Sequence, residues 1–397
     1  MKEQYDVVVI GGGPIGGYAA KEFASKKATV ALFEEHKEIG VPLKCAGLVT
    51  SKVFEFLDFL EEEVVQNRVK GAHIHSPSGN TLTIGGDRIH ALVIDRVKFD
   101  KEIIKTAKNS GANIFLENKI TNFQRTKQNI ELTTSQKNQI TCSLLIGADG
   151  PHSKIRDRFD FPQPAEMLKG IGAEITNTDL DPDFVEIFLG NNVAPGFFAW
   201  IIPTNNQGTT ARVGLCTRPD APYPPKHYFL NFFKHKITSQ FLEGTHILQK
   251  TAGVIPLGAI KKTFAPNTMI VGDAAAQVKP SSGGGIYTGL LCASHCVSVG
   301  LDALDKNDFS QKTLERYHKL WSSDIGRELY LGMKFRSILK RLDDHQLDNY
   351  IQKFQNPKIT DTISKYGDID YPSKLIKPLL KKAPSLLKLI PGMIKEQ

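Results

Sequence analysis

The stretch from Asp6 to Glu34, DVVVIGGGPIGGYAAKEFASKKATVALFE, decides the fold. It opens on Val7–Ile10, a short apolar and β-branched run that is typical of a buried parallel strand. Three spaced glycines follow. Gly11 allows a tight turn, Gly13 lets a pyrophosphate approach the backbone, and Gly16 lets the next helix pack close to the strand.

The second half of this stretch supplies a helix and an acid. The helix-like segment Gly17–Ala24 offers unpaired N–H groups and a partial positive charge to phosphates at its N-terminus. A second strand, Thr29–Phe33, ends on Glu34, which can accept hydrogen bonds from a ribose diol. Because strand, glycines, helix, strand and acid come in this order, we interpret the stretch as a dinucleotide-binding unit rather than an ordinary glycine-rich turn.

The composition predicts a soluble protein of two interleaved domains. The chain has 397 residues, of which 41% are hydrophobic and 23% charged, enough to bury one or two cores. It contains no run of about 18 apolar residues, and an acid at Glu3 directly precedes the first strand, so we expect neither a spanning helix nor a signal peptide. The five cysteines lack metal-ligand spacing, which fits a reducing cytoplasm and predicts no metal site.

The positive charge is concentrated at the C-terminal end. The formal net charge is +8, and the residues from Pro372 onward carry six lysines against Glu396, a net +5 that leaves only +3 for the rest. Leucines and isoleucines interleave with these lysines, so the tail either lies on anionic lipid or packs on the body of the protein. This imbalance indicates peripheral contact of the tail with an anionic surface, not nucleic acid bound by the whole fold.

The order of the predicted elements indicates a nucleotide domain that is interrupted and then resumed. We predict a helix over Lys52–Leu60, a hairpin around Pro77–Asn80, a helix over Arg96–Asn109 and a buried strand, Met269–Val271, that ends in Gly-Asp. The predicted division is a discontinuous nucleotide domain (1–65, 88–160 and 265–305), a β-rich substrate domain (66–87 and 161–264) and a helical C-terminal region with the basic tail (306–397).

Four segments together resemble the FAD-binding set of flavoprotein reductases and hydroxylases. They are the glycine-rich opening, ALVIDRVKFDKEI (91–103), GADGPHSKIR (147–156) and VGDAAAQVKPSSGGGI (271–286). More closely, the chain resembles the geranylgeranyl reductase family, whose proline-aromatic-tryptophan signature reads PGFFAWIIP over Pro195–Pro203. The resemblance implies an α/β fold with a Rossmann-type FAD-binding domain of the glutathione-reductase and hydroxylase kind, interleaved with a β-rich substrate domain and a helical C-terminal region.

The family resemblance also implies a set of cofactor contacts. They fall on Gly11, Gly13, Ile15, Gly16, Glu34, Lys44, Cys45, Ala46, Gly47, Arg96, Ile120, Asp273, Gly285 and Ile286. Arg96 is expected to reach phosphate or ribityl oxygens, or else to form a surface ion pair with Asp100. The backbone of Ile120 would meet the adenine, and Asp273 would accept ribityl hydroxyls or orient the pyrophosphate. Gly285 and its neighbour Ile286 would offer N–H groups to the flavin N1–O2 edge.

Two further residues of the resemblance concern chemistry. Cys45 is expected either to donate a proton to the alkene carbon that receives no hydride, to shape the pocket, or to be an ordinary loop cysteine. Many relatives carry an acid where Lys279 stands, and we hypothesise that Lys279 lies near the flavin and raises its potential; the alternative is a solvated loop lysine. Phe198, Trp200 and Pro203 are the predicted substrate-pocket residues.

The resemblance implies FAD-dependent reduction of isolated C=C bonds in the geranylgeranyl chains of membrane ether-lipid precursors, by hydride transfer from reduced FAD. One complete dinucleotide fingerprint is present and FAD takes it, so NADPH, NADH and ferredoxin all stay open as electron donors. A flavin-dependent monooxygenase or halogenase acting on an apolar substrate is the nearest alternative. A quinone-linked electron-transfer flavoprotein is disfavoured because the cysteines are too dispersed for an iron–sulfur cluster, and a non-enzymatic flavin module is disfavoured as well.

Overall fold

The computed structural model describes residues 3–382 of the chain. In this part of the chain the strands, in order, are β1 (Gln4–Ile10), β2 (Val30–Phe33), β3 (Leu48–Val49), β4 (Val65–Val69), β5 (Gly71–His75), β6 (Thr81–Gly85), β7 (Ala91–Ile94), β8 (Asn113–Phe115), β9 (Ile120–Arg125), β10 (Ile130–Thr134), β11 (Gln139–Gly147), β12 (Glu166–Thr176), β13 (Phe184–Phe188), β14 (Ala199–Pro203), β15 (Thr210–Thr217), β16 (His246–Leu257), β17 (Phe264–Ala265) and β18 (Thr268–Ile270).

The α-helices of the same part are α1 (Pro14–Ser25), α2 (Arg96–Asn109), α3 (Lys154–Arg158), α4 (Pro225–Phe232), α5 (Ser239–Leu242), α6 (Ile286–Lys306), α7 (Gln311–Trp321), α8 (Arg327–Leu339), α9 (Asp344–Phe354), α10 (Pro357–Tyr366) and α11 (Ile376–Lys382). A π-helical turn, Ser322–Gly326, joins α7 to α8. Short 3-10 segments cover Ser51–Phe56, Glu61–Glu63, Gly272–Ala275 and Pro372–Leu375.

The first sheet carries the dinucleotide-binding signature at its centre. Its strand order is β17-β18-β11-β1-β2-β8, and all neighbours from β18 to β8 are parallel. Alternate residues of β1 face opposite cores: Val7 and Val9 pack with α1, α2 and α6, whereas Val8 and Ile10 pack on the other face. The chain leaves β1 for β2 on one side and returns as β11 on the other, so the glycine loop lies at a topological switch point.

The second sheet forms the β-rich layer. Seven strands lie in the order β16-β12-β15-β14-β13-β5-β6, and all pairs are antiparallel except β13 with β5. It therefore contains the early hairpin β5–β6 together with strands from residues 166–257. A small sheet of order β3-β7-β4 connects the two layers. The predicted fold class is confirmed.

Helix α6 is a core helix of the nucleotide domain. By length and composition it could span a membrane, and it is the one helix of residues 3–382 for which this holds. Its residues Cys292 and Cys296 are fully buried, and Gly300 lies so close to the ring of Phe23 in α1 that a Cβ would stand 2.5 Å from that ring. This packing against α1 accounts for its apolar composition.

The local predictions differ in accuracy. The predicted bounds of the helix over Arg96–Asn109 coincide with α2, because Asp95 caps it by accepting hydrogen bonds from the backbone N–H groups of Val97 and Lys98, each at 3.0 Å. The helix predicted over Lys52–Leu60 is wrong: a 3-10 segment ends at Phe56. Aromatic packing overrides helix propensity there, because Phe54 and Phe59 both meet the ring of Phe99 edge-on.

Candidate active site

The glycine loop has the close contacts that the sequence predicts. Gly11 has a φ of +108°, and a Cβ at this position would collide with the carbonyl oxygen of Ala148 at the end of β11. A Cβ at Gly16 would collide with the carbonyl oxygen of Gly11. A Cβ at Gly13, in contrast, would meet no atom within 4 Å. Gly11 and Gly16 are therefore needed for packing, and Gly13 leaves open space in front of the α1 N-terminus.

Glu34 is held beside the same loop. One carboxylate oxygen accepts a hydrogen bond from the backbone N–H of Gly12 at 2.7 Å, and the other accepts one from the N–H of His36 at 2.9 Å. The remaining lone pairs can accept ribose hydroxyls. The carbonyl of Glu34 also binds the N–H of Asn118, two residues before Ile120. The side chain of Ile120 is buried under the sheet, so its backbone is the part left for an adenine.

The segment Lys44–Gly47 forms the second part of the site, which we call the cysteine loop. The guanidinium of Arg212 fixes it by donating to the carbonyl of Ala46 at 3.1 Å and to the carbonyl of Ile94 at 2.8 Å. Gly47, with a φ of +72°, has no room for a Cβ because the same guanidinium lies against it. Cys45 is half-buried in this loop. Sequence reasoning missed Arg212, although a charge inside the apolar run of β15 was a usable signal.

Arg96 pairs with Asp100, but not as a surface pair. The Asp100 side chain is almost fully buried and accepts hydrogen bonds from Nη2 at 2.9 and 3.0 Å and from Nε at 3.2 Å. Burial alone would lower the pKa of Arg96, but the Asp100 carboxylate, with a contribution from Cys45, outweighs it and raises that pKa. The structure therefore brings a permanently charged guanidinium next to the thiol of Cys45.

The third part of the site is the start of α6, preceded by the segment Lys279–Ile286, which we call the glycine-rich flavin loop. Gly285 and Ile286 open the helix without a side-chain cap, so their N–H groups have no intrahelical partner. A Cβ at Gly285 would stand 3.1 Å from Oδ1 of Asp273. Ile15 packs beneath, against Gly272. This arrangement leaves backbone donors and a carboxylate side by side.

An aromatic row joins the two loops. A Cβ at Gly283 of the glycine-rich flavin loop would stand 3.5 Å from Phe197, whose ring stacks on Phe198 at a centroid distance of 4.2 Å. Phe198 meets Trp200 edge-on at 6.1 Å, and Trp200 packs against the same cluster as Ala46 of the cysteine loop. The row thus runs from one loop to the other.

Pro203 does not belong to this row. It is buried at the end of β14, where its carbonyl accepts a hydrogen bond from the side-chain amide of Asn67 at 3.1 Å.

Lys279 is not solvated, because its side chain is buried and its ammonium lies 2.6 Å from the carboxylate of Asp370. The solvated-loop alternative for Lys279 is therefore wrong. Asp370 was missed because its partner is distant in sequence.

A surface groove of about 470 Å³ lies between α3 and the edge of the seven-stranded sheet at β12 and β16. Its lining residues are His152, Lys154, Arg156, Asp157, Gln163, Pro164, Met167, Lys169, Pro219 and Val254. Lys154 and Lys169 are exposed, and Met167 contributes to an apolar floor. Val254 follows Gly253, at which a Cβ would stand 3.7 Å from the Cβ of Lys44. Because successive residues of a strand face opposite sides of a sheet, the groove at Val254 lies on the face of β16 opposite to the cysteine loop.

The donor set fits FAD. The carboxylate of Asp273, a half-buried residue, accepts no hydrogen bond from any group in residues 3–382, and it faces the uncapped start of α6. Burial raises the pKa of Asp273 to about 6 against the opposing charge of Arg96. An unpartnered carboxylate suits ribityl hydroxyls, and the open space at Gly13 suits a pyrophosphate.

The fold and this site together define an FAD-binding flavoprotein. In agreement, the family model described as "FAD binding domain" matches residues 4–320. The chain is 31% identical to the digeranylgeranylglycerophospholipid reductase of Methanocaldococcus jannaschii, and the alignment covers 99% of each protein. The chain belongs to the digeranylgeranylglycerophospholipid reductase family.

Solved structures agree on the fold. A geranylgeranyl bacteriochlorophyll reductase-like protein from Thermoplasma acidophilum superposes with a TM-score of 0.86 at 23% identity, covering 99% of this chain and all of that one. The halogenase PltM superposes with a TM-score of 0.71 at 13% identity, covering 98% of this chain and 95% of that one. The halogenase likeness extends to the fold alone.

The raised pKa of Asp273 predicts that FAD binding depends on pH. Above about pH 6 the ionised carboxylate accepts hydrogen bonds from hydroxyl groups; as the pH falls through 6 it takes up a proton and loses part of this capacity. We expect the dissociation constant for FAD to rise about tenfold between pH 7.5 and 5, the equivalent of roughly one charge-assisted hydrogen bond. Fluorescence titration with FAD would measure it. Asp273→Asn should flatten the dependence, whereas Asp160→Asn, at an exposed acid, should keep it.

Proposed function

We propose that this protein reduces isolated C=C bonds in the geranylgeranyl chains of membrane ether-lipid precursors. The observation that carries the proposal is the convergence of the cysteine loop, the glycine-rich flavin loop and the aromatic row between them. Membership of the digeranylgeranylglycerophospholipid reductase family supports the substrate class. Bound FAD, once reduced by an external donor, supplies the hydride.

The residues around this point can handle the remaining charges. The N–H groups of Gly285 and Ile286 offer a partial positive charge where negative charge collects on a reduced flavin. Cys45 can deliver a proton from Sγ to the alkene carbon that receives no hydride. Arg96, beside that sulfur, would compensate the negative charge left on it.

The substrate carries no carbonyl group near the reacting bond, so binding must depend on apolar area. Phe198 and Trp200 provide an apolar wall beside the cysteine loop. Each Å² of apolar surface removed from water contributes about 25 cal/mol, so a long prenyl chain can be held without polar contacts. Aromatic faces also stabilise the positive charge that develops on an unactivated alkene during reduction.

The basic groove is suited to the head group. Lys154 and Lys169 are exposed beside it, and Met167 contributes to an apolar floor. We propose that the groove takes the phosphate-bearing head of the lipid. The positive charge of the groove supports this assignment.

Contact with a membrane would bring the enzyme to its substrate. In α11, Lys377, Lys381 and Lys382 are exposed, whereas Leu379 and Leu380 are half-buried. Next to it, Tyr366 and Ile369 expose 46% and 42% of their surface. We therefore propose a cytoplasmic enzyme whose α11 face lies on anionic lipid. The remainder of the predicted basic tail, 383–397, lies outside the described residues.

Product analysis tests the activity. Incubation of the full chain with FAD, dithionite and geranylgeranyl lipid should give mass gains in steps of two hydrogens by mass spectrometry. Cys45→Ala should lower the rate at least about tenfold if the thiol is the proton donor, and Cys45→Ser should recover little of it. Unchanged lipid, or a hydroxylated product formed in air, would contradict the reductase assignment. Near-normal rates for both variants would exclude only the role of Cys45.

Charge reversal tests the groove. Lys154→Glu and Lys169→Glu should each raise the KM for a phosphate-bearing geranylgeranyl lipid several-fold and leave the KM for geranylgeraniol unchanged, because only the former meets the lysines. Lys98→Glu, at an exposed side chain of α2, is the matched control. A rise in the KM for NADPH in place of that for the lipid would assign the groove to an electron donor and refute the head-group proposal.

Vesicle pelleting tests membrane contact. Lysines near an anionic surface contribute about 1 kcal/mol each, so the triple variant Lys377→Gln, Lys381→Gln, Lys382→Gln should bind anionic vesicles about a hundredfold more weakly than the full chain. Neutral vesicles serve as the control for charge, and a version that ends at Tyr371 serves as the control for the whole tail. Equal pelleting of all three proteins would refute the proposed face.

A further inference from the structure

The segment Gly367–Lys374, which we call the strap, places a carboxylate between the two loops of the active site. Asp370 is fully buried. Its Oδ1 lies 2.6 Å from Nζ of Lys279, and its Oδ2 accepts a hydrogen bond from Oγ1 of Thr50 at 2.6 Å. One side chain therefore binds two segments that are 229 residues apart in sequence, counted from 50 to 279.

One partner of Asp370 belongs to the glycine-rich flavin loop, and the other follows the cysteine loop by three residues. Thr50 directly follows the short strand β3, which begins right after the cysteine loop. Lys279 begins the glycine-rich flavin loop and closes it as a turn, donating its N–H to the carbonyl of Gly284 at 3.1 Å and accepting from the N–H of Gly283 at 2.8 Å. Asp370 thus ties the two loops together.

The ammonium of Lys279 lies close to the backbone that would meet the flavin. A Cβ at Gly284 would stand 3.0 Å from Cε and 3.4 Å from Nζ of Lys279. Gly284 immediately precedes Gly285 and Ile286, which supply the uncapped N–H groups of α6. An unpaired ammonium here would stabilise a reduced, anionic flavin, and the carboxylate of Asp370 at 2.6 Å opposes that effect.

The strap is anchored independently of Asp370. Asp368 pairs with Lys52 at 2.9 Å, and the N–H of Ser373 donates to the carboxylate of Glu328 at 3.0 Å. The hydroxyls of Tyr371 and Tyr287 lie 3.0 Å apart. Lys52 is the other cation near Asp370, at 3.9 Å. Replacing Asp370 therefore leaves the strap several other attachments.

We propose that Asp370 is a positioning residue that links the cysteine loop to the glycine-rich flavin loop and cancels the charge of Lys279 at the flavin edge. The inference rests on the FAD site of the proposed function and not on the lipid substrate. A buried pair of this kind is costly to break from one side, because the remaining charge stays uncompensated in the interior. Each single replacement should therefore expose one sign of charge to the flavin.

The midpoint potential of bound FAD tests this proposal without any lipid. Asp370→Asn should raise the potential because Lys279 loses its carboxylate partner, and Lys279→Met should lower it because the carboxylate then keeps only the more distant Lys52, at 3.9 Å, as a counter-charge. The double variant should return close to the wild-type value. Asp368→Asn is the matched control: it removes an acid from the same strap that pairs with Lys52, and it should leave the potential unchanged.

Opposite shifts in the two single variants, cancelling in the double variant, are a signature that a purely structural role would not produce. Equal potentials in all variants, shifts of the same sign, or an equal shift in Asp368→Asn would overturn the proposal. If Asp370→Asn does not retain FAD, Lys279→Met alone still tests the proposal. A midpoint potential of FAD that is unchanged or raised in Lys279→Met contradicts the inference. Failure of lipid reduction would leave these potentials unaffected, so the two proposals fail separately.

Discussion

The contact at Gly11, where β1, the start of α1 and the end of β11 meet with no room for a side chain, is the constraint on which the active site depends. A Cβ at Gly11 or Gly16 would collide with a backbone carbonyl, so any larger residue would push α1 away from the sheet. Only with α1 in this place does its N-terminus point into the open space at Gly13. The phosphate site is thus built from backbone N–H groups, with no lysine or arginine in the loop itself.

Charged side chains inside the protein act mainly as connections between segments. Arg212 pairs with Glu174 at 3.0 Å while it holds the carbonyl of Ala46, so the β-rich layer fixes the cysteine loop. Arg336 of α8 pairs with Glu166 of β12 at 2.8 Å. Such pairs add little net stability, because desolvation offsets their attraction, but removing one partner is costly. They therefore fix the positions of the loops and contribute little to the free energy of unfolding.

Sequence reasoning identified the parts of the fold and site that local signals encode. The strand, the glycine turn and the helix that open the chain, and the bounds of α2, depend on residues close in sequence and were predicted correctly. The contact of Glu34 with a ribose stays a prediction. Arg96 was expected to contact either a cofactor or a surface acid, and the structure shows a buried pair beside Cys45, which requires knowledge of two loops at once. Asp370 could not have been predicted, because its role depends on the path of the strap across the site.

The same geometry explains how the site can handle an alkene that no carbonyl activates. Positive charge develops on such a substrate, so an unpaired cation nearby would oppose the reaction. Three cations around the aromatic row are matched by carboxylates: Arg96 by Asp100, Lys279 by Asp370, and Arg336, which lies 5.3 Å over the ring of Phe197, by Glu166. The space between the loops therefore combines aromatic faces with three paired cations. Paired cations oppose a transient positive charge on the substrate less than unpaired ones would.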